Sequence, residues 1–303
     1  MNKPLLASHL LSSVAEDRRR VVGLWRIWIY CRRICIAKGL PLVDLVYANL
    51  VVKELEKKKE VTPFPGIKTV FVASSPFASI LPVIDELVVQ EANPYAVISH
   101  RLAMTRHGLT NWVPNELYYT DYHTSVSSKI PLGTTPDDWA DIKSPPGQLP
   151  AWVGNTAVHW TRAEARYDFG HEIGWCEGIA VYQTDRERTL LDGLRTPNKC
   201  GGILEVLEAW QNSSEQIKLE RMIEYVEKFD SAVMRQRVGL LLETFELTHP
   251  QLADWQGRLQ RGGSLKLVSG EPYAPTYSNR WNLSINLPRS VISRFGFEVS
   301  ENE

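Results

Sequence analysis

The sequence predicts an α+β fold in which a small amino-terminal module precedes a larger mixed domain. Helical and β-rich patterns follow one another along the chain, 303 residues exceed what one small domain needs, and the amino end differs in charge from the remainder. With 44% hydrophobic residues and 10 tryptophans, the chain can bury a large core. We therefore predict two domains, over residues 1–75 and 76–303.

The amino-terminal module has the element order of a winged helix-turn-helix. Residues 5–37 have a helical pattern, Gly39 and Pro41 end that helix, and a second helical pattern occupies residues 42–59. Residues 61–72 then form a predicted hairpin around a Pro-Gly turn. Helix, turn, helix and β-wing is an arrangement that many DNA-binding modules use.

Charge is unevenly distributed along the chain. Residues 1–68 contain 13 Lys or Arg and 6 Asp or Glu, a net charge of +7, whereas the other 235 residues have a net charge of −8. Clustered cations suit contacts with phosphates, which favours a nucleic-acid module at the amino end. A solvated basic helix surface without a ligand explains the same charges.

The second helix of this module carries the candidate DNA contacts. Its apolar residues can face the core: Leu42, Leu45, Val46, Leu50, Val52 and Leu55. Its polar residues can project elsewhere: Asn49, Lys53, Lys57, Lys58 and, at the helix end, Lys59. In a major groove the lysines would neutralise phosphates and Asn49 would hydrogen-bond an adenine, while Lys68 on the wing would reach the flanking backbone. The alternative is an ordinary solvated helix end rich in Lys and Glu.

The apolar run at residues 21–30 does not predict a membrane span. It is interrupted by Arg26 and flanked by further arginines, so it is too short and too charged. Its aromatic residues would also suit a membrane surface, but a helix packed within the protein is the commoner arrangement. Four cysteines form no CxxC pair and no secretory signal precedes them, so we expect a reduced, cytoplasmic protein without a membrane partner.

In the larger domain the clearest pattern occupies residues 178–207. The β-forming residues 179–182 lead into a helix, for which Thr184 and Glu187 have the spacing of a capping box. Pro197 ends that helix, and Gly201-Gly202 opens another one. Other β-rich segments lie at 117–122 and 157–160, and other helical patterns at 99–106, 215–228 and 230–246. A long Pro/Gly-rich loop at 131–150 is predicted to be functional, mobile or merely inserted.

The run ERTLLDGL at residues 187–194, followed by Pro197, the glycine pair and a leucine-rich helix, resembles the AbiEi-type antitoxin domain of bacterial type IV toxin-antitoxin systems. Three further segments resemble the same family in the expected order: SHRLAMTRHGLTN at 99–111, RVGLLLETF at 237–245 and NRWNLSINLP at 279–288. The resemblance implies a transcriptional repressor that also neutralises a nucleotidyltransferase-like toxin encoded beside it.

The resemblance also implies a role for the arginines around this helix. Family members use the larger domain to neutralise the toxin and to bind DNA cooperatively, so Arg186, Arg188 and Arg195 would present a basic surface to a partner or to DNA, and self-association on repeated half-sites is expected. The residues themselves favour a structural interpretation, in which Arg188 pairs with Asp192 one helical turn away.

No enzyme, metal site or cofactor is predicted. The chain lacks a Walker A loop, a GxSxG elbow and a GxGxxG fingerprint, and HEIGWC at residues 171–176 lacks the second histidine of HExxH. An enzyme hypothesis would have to combine four polar residues whose separation the sequence does not fix: His171, Glu172, Asp185 and Glu187. The second alternative is a subunit of an antiviral defence complex, in which the Trp-rich amino-terminal helix binds a protein partner and no operator.

Overall fold

The computed structural model describes residues 3–74, 81–123, 129–143, 146–259 and 265–301. The fold is mixed α+β, as the sequence predicts. It comprises two compact units, each assembled from several chain segments. The first unit consists of Met1–Val97, Asn115–Ala163 and Ile173–Tyr182, and the second of Ile98–Pro114, Glu164–Glu172 and Gln183–Glu303. These limits differ from those of the predicted domains, and the predicted boundary between residues 75 and 76 lies outside the described residues.

The amino-terminal module (residues 3–73) has the element order of a winged helix. In chain order its elements are α1 (Lys3–Glu16), β1 (Val21–Gly23), α2 (Leu24–Ala37), α3 (Leu45–Lys57), β2 (Val61–Phe64) and β3 (Ile67–Ala73). The strands form an antiparallel sheet in the order β1-β3-β2. The helix predicted at 5–37 is therefore two helices, because Val21 and Val22 pair with β3 opposite Val72 and Phe71.

The module encloses its own core, to which all three helices and the sheet contribute. Its fully buried members include Leu6, Leu10, Ile27, Cys31, Val51, Val52 and Leu55. Leu42 and Val46 were predicted to face this core but are 47% and 71% exposed. The buried positions of α3 are 48, 51, 52 and 55, so the helix turns Val46 away from the core.

Most of a six-stranded sheet lies in the first unit. Its strands are β4 (Val97–Ile98), β5 (Glu116–His123), β6 (Trp152–Val153), β7 (Thr156–Glu164), β8 (His171–Cys176) and β9 (Ile179–Thr184), in the order β6-β7-β5-β4-β9-β8. The strands predicted at 117–122, 157–160 and 179–182 are confirmed as parts of β5, β7 and β9. The first unit also contains α4 (Asp85–Ala92).

The second unit contains seven described α-helices and a small sheet. The helices are α5 (His100–Arg106), α6 (Arg186–Arg195), α7 (Ile203–Ser213), α8 (Leu219–Phe229), α9 (Ala232–Thr244), α10 (Gln251–Gly257) and α11 (Arg289–Phe295). The strands are β10 (Leu265–Lys266), β11 (Thr276–Ser278), β12 (Leu283–Ser284) and β13 (Ser300–Glu301), in the order β10-β12-β11-β13. Trp210, Trp255 and Trp281 are fully buried in its core.

The predicted capping box of α6 is wrong. Asp185 is the N-cap, and its carboxylate accepts a hydrogen bond from the Arg188 backbone N–H at 2.9 Å. Thr184 still belongs to β9, and its hydroxyl lies 2.8 Å from that of Thr189. The Glu187 carboxylate accepts instead from the backbone N–H of Lys218, at the start of α8. Because β9 extends through residue 184, the cap moves one residue along the chain.

No described helix combines the length and the apolar character needed to cross a bilayer.

Candidate nucleic-acid interface

Helix α3 presents one exposed stripe that begins apolar and ends basic. Asp44 caps the helix by accepting from the Tyr47 backbone N–H at 2.7 Å. On the face away from the core, Val46 is largely exposed and Asn49 is half-buried, and both Lys53 and Lys57 are exposed. These positions are three or four residues apart, so their side chains line one face of the helix.

The other predicted lysines lie at the end of α3 and in the wing. Lys58 and Lys59 follow the helix and are exposed, and Lys68 is exposed on β3, two residues beyond the turn at Gly66. Gly66 has a φ of 81°, which a glycine adopts without strain. All five lysines predicted to contact phosphates are therefore accessible to a ligand.

Lys57 has an acidic neighbour on the same helix. Its ammonium lies 2.9 Å from the Glu54 carboxylate, and the hydrogen bond lowers the pKa of Glu54. Both side chains are accessible to water, and exposed pairs of this kind contribute little to stability. Lys57 can therefore exchange this partner for a phosphate at small cost.

The arginines that make the amino end basic are largely used within the protein. Arg19 and Arg26 are buried and share the carboxylate of Glu91, which lies on α4, at nitrogen–oxygen distances of 2.9 and 2.7 Å. The same carboxylate accepts from the Gly23 backbone N–H at 2.8 Å. These two arginines are not available to a ligand, so the inference from net charge overestimated the basic surface.

The long loop at 131–150 neutralises two more arginines. Arg33 forms a bidentate pair with Asp138 at 2.9 and 2.7 Å, and Arg32 pairs with Asp141. The hydrogen bond from Arg33 lowers the pKa of Asp138. The described part of this loop is thus anchored on α2.

The tryptophans of α2 do not form an exposed surface. Trp25 and Trp28 are buried, and their indole N–H groups donate to the carbonyls of Glu91 and Val43. Trp139 of the long loop packs against both rings, with centroids 6.4 Å away in each case. The aromatic residues of α2 are therefore structural, which removes the observation that had suggested partner binding through this helix.

In the second unit, Arg188 does not contribute to the predicted basic surface, because it is only 1% exposed. Its guanidinium donates to the carbonyls of Tyr167 and Phe169 at 2.8 and 2.7 Å and stacks on the Phe169 ring. The predicted ion pair with Asp192 is confirmed, at 3.0 Å. A buried guanidinium can be retained only where acceptors surround it, and here they do.

The other two arginines of this helix remain partly accessible. Arg186 hydrogen-bonds Gln216, and Arg195 stacks on Tyr167 and Phe229 at 4.8 Å from each ring centroid. Only these two members of the predicted arginine surface can meet a partner.

The four residues of the enzyme hypothesis each have a structural partner. His171 lies 3.2 Å from Asp168, Glu172 accepts from Gln183, and Glu187 accepts from the backbone of α8. Asp185, besides capping α6, accepts from the Tyr225 hydroxyl at 2.7 Å, and burial together with this carboxylate raises the pKa of Tyr225. Within the described residues, no three His, Cys, Asp or Glu side chains are arranged to hold a metal ion.

Comparison with known proteins supports the fold and nothing finer. No protein-family model matches the sequence, and no curated protein matches it. Among solved structures, the RV2827C protein from Mycobacterium tuberculosis is similar, with a TM-score of 0.52 and 13% sequence identity. The similarity covers 97% of this chain and 95% of that one. At this identity it shows a shared fold over nearly the full length of both chains.

One unusual residue, His100, was not singled out by the sequence. It opens α5 with a φ of 52° and is almost fully buried, and its Nδ1 lies 2.8 Å from the Ser99 hydroxyl. Burial lowers the pKa of its imidazole to about 4, so the ring is neutral at physiological pH. A histidine in a helix pattern carries no sequence signal for a left-handed backbone, since that conformation is imposed by the packing around it.

Proposed function

We propose that this protein is a DNA-binding transcriptional repressor whose amino-terminal module recognises an operator through α3 and its wing. The observation that carries the proposal is the exposed stripe of α3, which ends in Lys53 and Lys57 and is continued by the exposed lysines 58, 59 and 68. Neighbouring arginines are paired internally, so these lysines are the accessible cations of the helix end and the wing.

In the proposed mechanism α3 enters the major groove and the wing follows the flanking backbone. The lysines neutralise phosphates and supply salt-sensitive affinity, while shorter side chains of the helix contact base edges. Bound protein represses transcription of its own operon by occupying the promoter. Pairing of copies on repeated half-sites increases that occupancy.

We further propose, from the AbiEi resemblance, that the protein is the cytoplasmic antitoxin of a type IV toxin-antitoxin system and has no catalytic activity of its own. In this proposal the larger domain neutralises a nucleotidyltransferase-like toxin. Arg186 and Arg195 are the accessible arginines of α6 that a partner can meet. Co-expression of the neighbouring gene and this chain from unrelated promoters tests neutralisation apart from repression. Growth restored by this chain supports it, and continued arrest contradicts it.

DNA binding is tested by titrating the purified protein with its own upstream promoter fragment at several salt concentrations. The double variant Lys53→Ala/Lys57→Ala should bind more weakly, with a slope of log affinity against log salt that is smaller by about 1.8, because two phosphate contacts are lost. Unrelated DNA of equal length shows whether binding is specific to the promoter.

The matched control is Lys143→Ala/Lys228→Ala. This variant removes the same charge, from two exposed lysines that lie outside the amino-terminal module. Lys228 also matches Lys57 in forming an ion pair with an acidic residue on its own helix. This control should retain the wild-type slope. Equal slopes for wild type and the α3 variant would rule out α3 as the DNA-contacting helix.

A further inference from the structure

The exposed stripe of α3 changes chemistry along its length, and this change points to a class of DNA sequence. We propose that Val46 and Asn49 read A·T base pairs in the operator, with Val46 against a thymine methyl group and Asn49 on an adjacent adenine. The inference rests on the proposed function and adds the chemistry of the site that the helix selects.

The spacing along the helix separates short side chains from long ones. At 1.5 Å per residue, Asn49 lies about 4.5 Å beyond Val46, Lys53 about 10 Å and Lys57 about 16 Å beyond it. The major groove is about 12 Å wide. If the amino-terminal half of α3 enters the groove, the two short side chains meet base edges while the lysines lie near the phosphates that border it.

The exposed end of the stripe has an apolar surface that water solvates poorly. Val46 is 71% exposed, and Leu42, just before the helix, is 47% exposed. Of the four bases, only thymine presents a methyl group in the major groove, so it is the base edge that an aliphatic side chain contacts favourably. The same stripe continues into lysines, so a polyanion that carries methyl groups fits both ends, and thymine-containing duplex DNA is such a partner.

Asn49 is placed one turn after Val46 on the same face. Its side chain is half-buried, and no described residue hydrogen-bonds its amide. A carboxamide donates to N7 of adenine and accepts from its N6 amino group, a pairing that the other bases do not offer. A methyl-reading and an adenine-reading side chain one turn apart therefore select neighbouring A·T pairs.

The test replaces thymine by uracil throughout the promoter fragment, which removes only the methyl groups. Fluorescence anisotropy then gives the ratio of affinities for the thymine and uracil fragments. For wild type we expect a ratio of about fourfold for each contacted methyl group. Val46→Ala should lower that ratio towards one and leave the salt slope unchanged. Asn49→Ala should lose the preference for adenine over 7-deazaadenine, which lacks the N7 acceptor.

Val113→Ala is the matched control, because Val113 is 79% exposed and lies in the second unit. It should retain the wild-type ratio. The assignment of Val46 is overturned if the wild-type affinity ratio is one, or if Val46→Ala leaves that ratio unchanged. In either case promoter-specific, lysine-dependent binding would still stand. Failure of the proposed function looks different, since the protein would then bind promoter and unrelated fragments equally, and the inference would fall with it.

Discussion

Glu91 is the single carboxylate that two buried arginines share, so replacing it tests how the first unit is held together. In Glu91→Gln the shape is kept but the charge is lost. In the wild-type protein, Arg19 and Arg26 lie 2.9 and 2.7 Å from the Glu91 carboxylate, and the Gly23 N–H donates to it from 2.8 Å. A glutamine turns an N–H₂ group towards one of these donors and leaves two guanidinium groups without a counter-charge.

The expected loss in the free energy of unfolding is about 3–5 kcal/mol, the range measured when one partner of a buried ion pair is removed. Urea unfolding followed by tryptophan fluorescence measures it, because Trp25 donates to the Glu91 carbonyl and lies beside the site. Glu54→Gln in the same unit is the control, and the unfolding midpoint of this variant should not change since the partner of Glu54, Lys57, is exposed. A loss below about 1 kcal/mol would refute the reasoning that this cluster organises the first unit.

Two further predictions concern the second unit. His100 binds a proton at a pKa near 6.5 when unfolded but only near 4 when folded, so the free energy of unfolding should fall by about 3 kcal/mol as pH drops from 6.5 to 4. His100→Asn, which tolerates the same backbone conformation, should remove that part of the fall, and parallel pH profiles in denaturant titrations would contradict this. Gly239→Ala should destabilise by about 1–3 kcal/mol, because the new methyl group would overlap the Trp281 ring. Gly257→Ala meets no atom within 4 Å and is the control, and equal melting temperatures for the two variants would contradict the packing argument.

For the amino-terminal module, the sequence predicted the helices and the hairpin better than it predicted which side chains face the core. The hairpin was predictable because its Pro-Gly turn is a local signal, and the exposed lysines followed from helical spacing. The strand at 21–23 was not predictable, because its valines suit a helix or a strand equally and only pairing with β3 decides between them. Val46 was assigned to the core for a similar reason, since periodicity alone does not say where an apolar stripe ends.

The burial of the arginines and their ion-pair partners could not be predicted from the sequence. Arg33 pairs with Asp138 and Arg26 with Glu91, and nothing local connects residues so far apart in the chain. The interpretation of residues 1–68 as a basic surface therefore assumed that every cation faces water. In α6 the helix and its ion pair were predictable from spacing, but the burial of Arg188 depends on carbonyls of residues 167 and 169.

The order of synthesis gives these distant ion pairs a consequence for the nascent chain. When residue 75 is added to the growing chain, Glu91, Asp138 and Asp141 have not yet been made. At about 5–20 residues per second, the arginines of α2 wait several seconds for their acidic partners. During that interval they and the indoles of Trp25 and Trp28 lack the groups that cover them. A truncated protein made of residues 1–75 would lack these partners permanently, and its arginines would stay exposed where the complete chain pairs them internally.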